Sequence, residues 1–85
     1  MPYVTKFAFT WFGPIESFRE FIEEDPTLQG NVYGIVFQEE ICPTTGKKHV
    51  QGFLQTVNRK RAPQIKKLLN KEDIHVEAVR NPLGS

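Results

Sequence analysis

The segment Lys48-His49-Val50-Gln51-Gly52-Phe53 carries two donor side chains, His49 and Gln51, two positions apart. On an extended strand that spacing turns both to one face and sends Val50 and Leu54 to the other. The acidic pair Glu39-Glu40 lies upstream, across a short Cys42-Pro43-Thr44-Thr45-Gly46 turn. Taking Tyr33, Ile35 and Phe37 as a buried face, Glu40 has the opposite parity and falls on the His49/Gln51 side; Glu39 is the alternative carboxylate. One carboxylate, one imidazole and one amide oxygen form a small, oxygen-rich set. It suits Mg²⁺ or Mn²⁺ better than structural zinc, with water and a substrate phosphate filling the remaining positions. The plain alternative is a solvated His/Gln pair beside a polar strand end.

These residues need strands to hold them. Tyr3 to Phe12 is rich in aromatic and β-branched residues and reads as a strand ended by Gly13-Pro14. Ile15, Phe18, Phe21 and Ile22 recur at helical spacing, with Glu16, Glu20, Glu23 and Glu24 mostly opposite, and Asp25-Pro26 is expected to stop that helix. Val32 to Glu40 and Lys48 to Val57 are strands close enough to form a hairpin. Pro63 to Asn70 is a second helix, with Ile65, Leu68 and Leu69 inward, and Ile74 to Val79 a fourth strand. The order β-α-β-β-α-β predicts an α+β, ferredoxin-like (RRM-like) fold: an antiparallel sheet with both helices on one face and the other face open. The expected core is Ile15, Phe18, Phe21, Ile22, Ile35, Phe37, Val50, Leu54, Ile65, Leu68 and Leu69.

The 85 residues suffice for one small domain, and 39% apolar residues with 7 Phe can build its core. A net charge of +1 makes no global case for nucleic acid, so that case must be local. It rests on Arg59, Lys60, Arg61, Lys66, Lys67 and Lys71, six of the 11 Lys and Arg within 13 positions. Such a cluster attracts phosphates; it also suits a solvated helix face balancing the acidic first helix. Trp11 is the clearest candidate to stack on bases, provided the first strand turns that side chain to the open face. His75 and Glu77 read as the exposed side of an edge strand. The lone Cys42 excludes an internal disulfide and a Cys-based zinc cluster. No apolar run approaches the length of a membrane span and the start lacks a signal-peptide layout, so cytosol or nucleus is expected rather than secretion.

Together these residues resemble the HUH-endonuclease domain of replication-initiator (Rep) proteins from circular single-stranded DNA viruses of the circovirus and nanovirus kind, and related plasmid Reps. Phe9-Thr10-Trp11-Phe12 is similar to the family's first motif. His49-Val50-Gln51 is similar to the second, in its His-hydrophobic-Gln form, and Gly52-Phe53 continues it. Glu40, with Glu39 second, matches the acidic ligand, and Ile74-His75-Val76-Glu77 resembles the strand that follows. The similarity spans essentially the whole chain.

The resemblance implies a domain that binds single-stranded origin DNA. With Mg²⁺ or Mn²⁺ on Glu40, His49 and Gln51, it nicks and joins that DNA by transesterification. Thr10, Trp11, Arg59, Lys60, Arg61, Lys66 and Lys67 are the implied DNA contacts, and the host nucleus or the cytoplasm the implied location. The family's third motif, Tyr-x-x-Lys on a helix after the last strand, is not found before Ser85. The nucleophilic Tyr is therefore expected downstream, no catalytic residue is assigned within the 85, and the chain alone is expected not to nick. Downstream regions would also carry any oligomerisation. Tyr3-Val4-Thr5-Lys6 fits Tyr-x-x-Lys literally, but at the start of a strand positions three apart face opposite sides.

A competing reading is a non-catalytic RRM-like module that binds single-stranded nucleic acid. Its third strand carries aromatics at the stacking positions, where this chain has mostly His49, Gln51 and Gln55. Flat π-faces serve stacking; donor atoms serve a metal. A ligand-free protein-interaction domain is a third reading, and Mn²⁺ titration against the two His signals separates the three.

Overall fold

Alternating apolar and polar side chains make the first strand, β1, Val4–Trp11. It inserts between two others in a four-stranded antiparallel sheet of order β2-β3-β1-β4 in the computed structural model, which describes residues 3–71 and 73–79. The partners are β2 (Val32–Ile41), β3 (Lys48–Lys60) and β4 (His75–Ala78). Helices α1 (Ile15–Glu24), α2 (Pro26–Asn31) and α3 (Ala62–Leu68) complete the chain order β1-α1-α2-β2-β3-α3-β4. The ferredoxin-like arrangement is thus present, with one helix more than the sequence suggested. The tail Asn81–Ser85 lies outside the described residues.

The extra helix is α2. Asp25-Pro26 does end α1, but the same pair starts α2. The Asp25 carboxylate accepts a hydrogen bond from the Thr27 backbone N–H (3.0 Å), and Pro26 occupies the first turn, where its missing N–H costs nothing. Leu28 is then carried into the core. After α3, Asn70 takes a left-handed conformation (φ 54) and turns the chain toward β4.

The core lies between sheet and helices. Phe7 and Phe9 of β1, Val50 and Leu54 of β3, Phe18 of α1 and Ile65 of α3 are buried there with Leu28, Leu69 and Ile74. Ile15, Phe21, Ile22, Ile35, Phe37 and Leu68 pack against it half-buried, so every expected core residue lies on the helix side. Gly52 is part of this packing. A Cβ there would run into the Val36 carbonyl oxygen and lie 2.8 Å from the Phe9 ring and 2.9 Å from the Phe37 Cα. Only a residue without a side chain lets Phe9 sit beneath β3.

Tyr33 departs from the expected parity. Val32 faces Thr56 and Gly34 faces Gln55, so two residues of β2 oppose one of β3 and a bulge forms at Tyr33. Val32 turns inward and Tyr33 is left 79% exposed. The alternation resumes at Ile35, which is why Glu40 still has the face assigned to it.

A candidate metal centre on the open sheet face

Register decides which side chains meet on the side away from the helices. Glu40 of β2 stands directly opposite His49 of β3. Gln38 stands opposite Gln51, which on its other side faces Thr10 of β1, and Thr10 in turn faces His75 of β4. Val50 and Leu54, one step out of phase, are buried beneath the helices. Had the strand slipped by one residue, His49 and Gln51 would be in the core.

The donor atoms converge on one imidazole nitrogen. His49 Nε2 lies 3.4 Å from Gln51 Oε1 and 4.0 Å from Glu40 Oε2. Gln38 Nε2 donates to the other Glu40 oxygen, Oε1, at 3.3 Å, leaving Oε2 toward His49. Neighbouring ligands of an octahedral ion with bonds of ~2.1 Å lie ~3 Å apart and opposite ligands ~4.2 Å apart. The observed separations therefore admit a Mg²⁺- or Mn²⁺-sized ion with small side-chain adjustments. Among the described residues no group of three His, Cys, Asp or Glu side chains is placed to hold a metal, so a third protein donor at this position would have to be the Gln51 amide.

His49 is the most enclosed of the three. Its side chain is 13% exposed, against 38% for Glu40. Phe12 lies against it, with its ring centroid 5.2 Å from that of the imidazole. His49 Nδ1 is buried without a hydrogen-bond partner among the described residues, so the polar reach of the ring is through Nε2.

The other sequence candidates divide. Thr10 is at the site, in the row of Gln38 and Gln51. Trp11 is not on this face. It turns to the helix side, where its ring lies 5.8 Å from that of Phe18, its Nε1 donates to Asp73 Oδ1 (3.2 Å), and the Lys71 ammonium sits 4.8 Å from its centroid. Strand alternation is the reason: Phe7, Phe9 and Trp11 share one parity, and Phe7 and Phe9 are core.

The basic residues do not gather at the site either. Arg59, Lys60 and Arg61 follow His49 by ten or more positions along and just past β3, ~30 Å away at strand rise. Arg61 there covers the Tyr3 ring at 5.6 Å. Lys66 and Lys67 are exposed on α3, whose Ile65 packs toward the sheet, and with Pro63, Asn70 and Lys71 they line a separate surface groove. His75 and Glu77 are exposed on the edge strand as expected, paired at 2.9 Å.

The sequence reading missed Gln38, which orients Glu40, and Phe12, which covers His49. Both were visible in the alternation: Gln38 has the parity of Glu40, and Phe12 that of Thr10.

Residues 5–83 match the model of the viral replication family described as "Putative viral replication protein". The chain belongs to this family. No curated protein matches it. A viral replication protein of this family is a Rep-type domain of replication initiators, and its part in replication follows from the match. No helix among the described residues of this Rep domain is long and apolar enough to cross a membrane.

Proposed function

We propose that this Rep domain binds single-stranded origin DNA and a divalent metal, Mg²⁺ or Mn²⁺, and serves a rolling-circle initiator that nicks and joins that DNA by transesterification. The observation that carries the reading is the convergence of Glu40, His49 and Gln51 on the open face of a chain in the replication family. A cation bound there would supply positive charge to a phosphodiester and offset the charge that grows as it is attacked. Glu40 contributes the anionic ligand, His49 Nε2 and Gln51 Oε1 the neutral ones, and Gln38 fixes the rotamer of Glu40. Thr10 lies beside Gln51, where its hydroxyl can reach a phosphate oxygen.

The reaction needs a hydroxyl in line with the phosphorus. In the step proposed, a Tyr oxygen forms a bond to phosphorus as the bond to the 3′ oxygen breaks. The Tyr hydroxyl gives up its proton and the departing 3′ oxygen takes one up, so the products are a 5′-phosphotyrosine link and a free 3′-OH. The two Tyr of this chain are Tyr3 and Tyr33. Tyr3 is seven positions from Thr10, ~23 Å along an extended strand, and Tyr33 five from Gln38, ~17 Å. Neither reaches the site, so the reading assigns the nucleophile to a residue outside these 85. The non-catalytic RRM-like reading has less support, because His49, Gln51 and Gln55 of β3 offer donors at most of the positions where stacking needs rings, with Phe53 alone among them a ring.

Covalent capture tests the proposal. A chain extended through a Tyr-x-x-Lys helix, mixed with origin DNA and Mn²⁺, should give a protein–DNA adduct that survives denaturation. EDTA and His49→Ala should each abolish it, and Tyr3→Phe should leave it intact. An adduct lost with Tyr3→Phe, or one indifferent to EDTA, contradicts the mechanism. Positioning of a nucleophile is worth ~7–11 kcal/mol, so no residual adduct is expected without that hydroxyl.

A further inference from the structure

Phe12 continues β1 on the open face and is 57% exposed. Its ring lies 5.2 Å from the His49 imidazole at an interplanar angle of 43°. It therefore shields the imidazole, consistent with the 13% exposure of that side chain and the buried, unpartnered Nδ1. The rest of the ring is open to solvent. An isolated exposed Phe needs no explanation in a small domain. This one adjoins donors suited to a phosphate-binding ion, and every nucleotide that presents a phosphate there presents a base close by.

We infer that Phe12 is the base-stacking residue of this site, packing on His49 on one side and receiving on the other the nucleobase next to the phosphate held at Glu40, His49 and Gln51. The inference rests on the DNA-binding reading above and adds the residue that grips the base. It assigns to Phe12 the part that Trp11, turned to the helix side, cannot play. A ring accepts any base on its π-face, so the contact contributes affinity without sequence preference. Phe53, 53% exposed, lies on the same face beyond Gln51 and offers a second ring farther from the donors.

The test is fluorescence anisotropy with a short, labelled oligo-dT in the presence of Mn²⁺, so that the phosphate can be held at Glu40, His49 and Gln51. The unaltered protein is compared with Phe12→Leu and Phe12→Trp, each checked by circular dichroism. Leu keeps an apolar cover over His49 but has no π-face. Stacking on one base is worth ~1–3 kcal/mol, so Phe12→Leu should weaken binding about five- to 140-fold. Phe12→Trp should bind at least as well as the original. Placing an abasic nucleotide at each position in turn should reveal one whose loss is absorbed by Phe12→Leu. If the unaltered protein binds oligo-dT and Phe12→Leu binds equally, the inference fails and the DNA reading stands. If the unaltered protein does not bind oligo-dT, both fail. Self-association of the unaltered protein in sedimentation, abolished by Phe12→Leu with DNA affinity unchanged, would make Phe12 a contact between copies and overturn the inference.

Discussion

His49 is held by its surroundings more tightly than any other polar group at the site. Glu40 and Gln51 face its Nε2, Phe12 covers its ring, and Gln38 fixes Glu40 from behind. A ligand fixed in this way loses little rotamer freedom on binding an ion, which favours affinity. Cys42, at the turn between β2 and β3, has a different chemistry. Its thiol is lowered to about 6, chiefly by the Thr45 hydroxyl, with the backbone N–H groups of Thr45 and Thr44 adding to it. A lowered thiol pKa means that the thiolate persists at neutral pH and is lost only as pH falls through the folded value. The rate of iodoacetamide alkylation should therefore rise with a midpoint near 6, and Thr45→Ala should move that midpoint upward. A midpoint near the ordinary ~8.5 would show that the turn does not hold the thiolate.

Among the elements, β3 carries the most. Its inward residues Val50, Gly52, Leu54 and Thr56 are buried, and its outward residues include His49 and Gln51. Gly52→Ala should lower stability by about 1–3 kcal/mol, because backbone of β2 and the Phe9 ring occupy the space a methyl needs. For a domain of this size that is a drop in melting temperature of several degrees or more. Tyr33→Ser, at an exposed bulge, should stay within about 0.5 kcal/mol. An unchanged melting temperature in Gly52→Ala would mean the strands can separate there.

The same strand shows what the sequence makes legible. Period-two alternation at His49–Leu54 fixes the face of the site because both faces are strongly marked, donors on one and apolar side chains on the other. At Tyr33 that signal misleads, since a bulge inserts a residue without leaving a mark in composition. Trp11 illustrates a different limit. A Trp can serve a core or a stacking surface, and only the burial of Phe7 and Phe9 decides its side. Helix α2 was hidden because Asp25-Pro26 is both a stop for one helix and a cap for the next.

Across the whole molecule, the candidate metal site and the basic residues occupy different places. Glu40 and His49 are near the hairpin end of the open face, Arg59 to Arg61 at the other end of β3, and Lys66 and Lys67 on the helix side. A short oligonucleotide confined to the open face should not touch α3. Each phosphate neutralised on a single strand contributes about −0.7 to the slope of log K against log salt. The double variant Lys66→Ala/Lys67→Ala should leave that slope unchanged for a short oligo-dT. A longer strand that wraps the edge should show a shallower slope in the variant. A change with the short oligonucleotide would mean that DNA runs over α3 instead of the sheet. The functional reading depends on whether Glu40, His49 and Gln51 hold an ion, and isothermal titration with Mn²⁺ measures that. The unaltered chain should bind one ion. Glu40→Ala and His49→Ala should each lose it with the fold intact by circular dichroism, while Glu39→Ala, on the opposite face of β2, retains it. Absence of Mn²⁺ binding by the unaltered chain, or an affinity unchanged in Glu40→Ala and His49→Ala, would contradict the assignment.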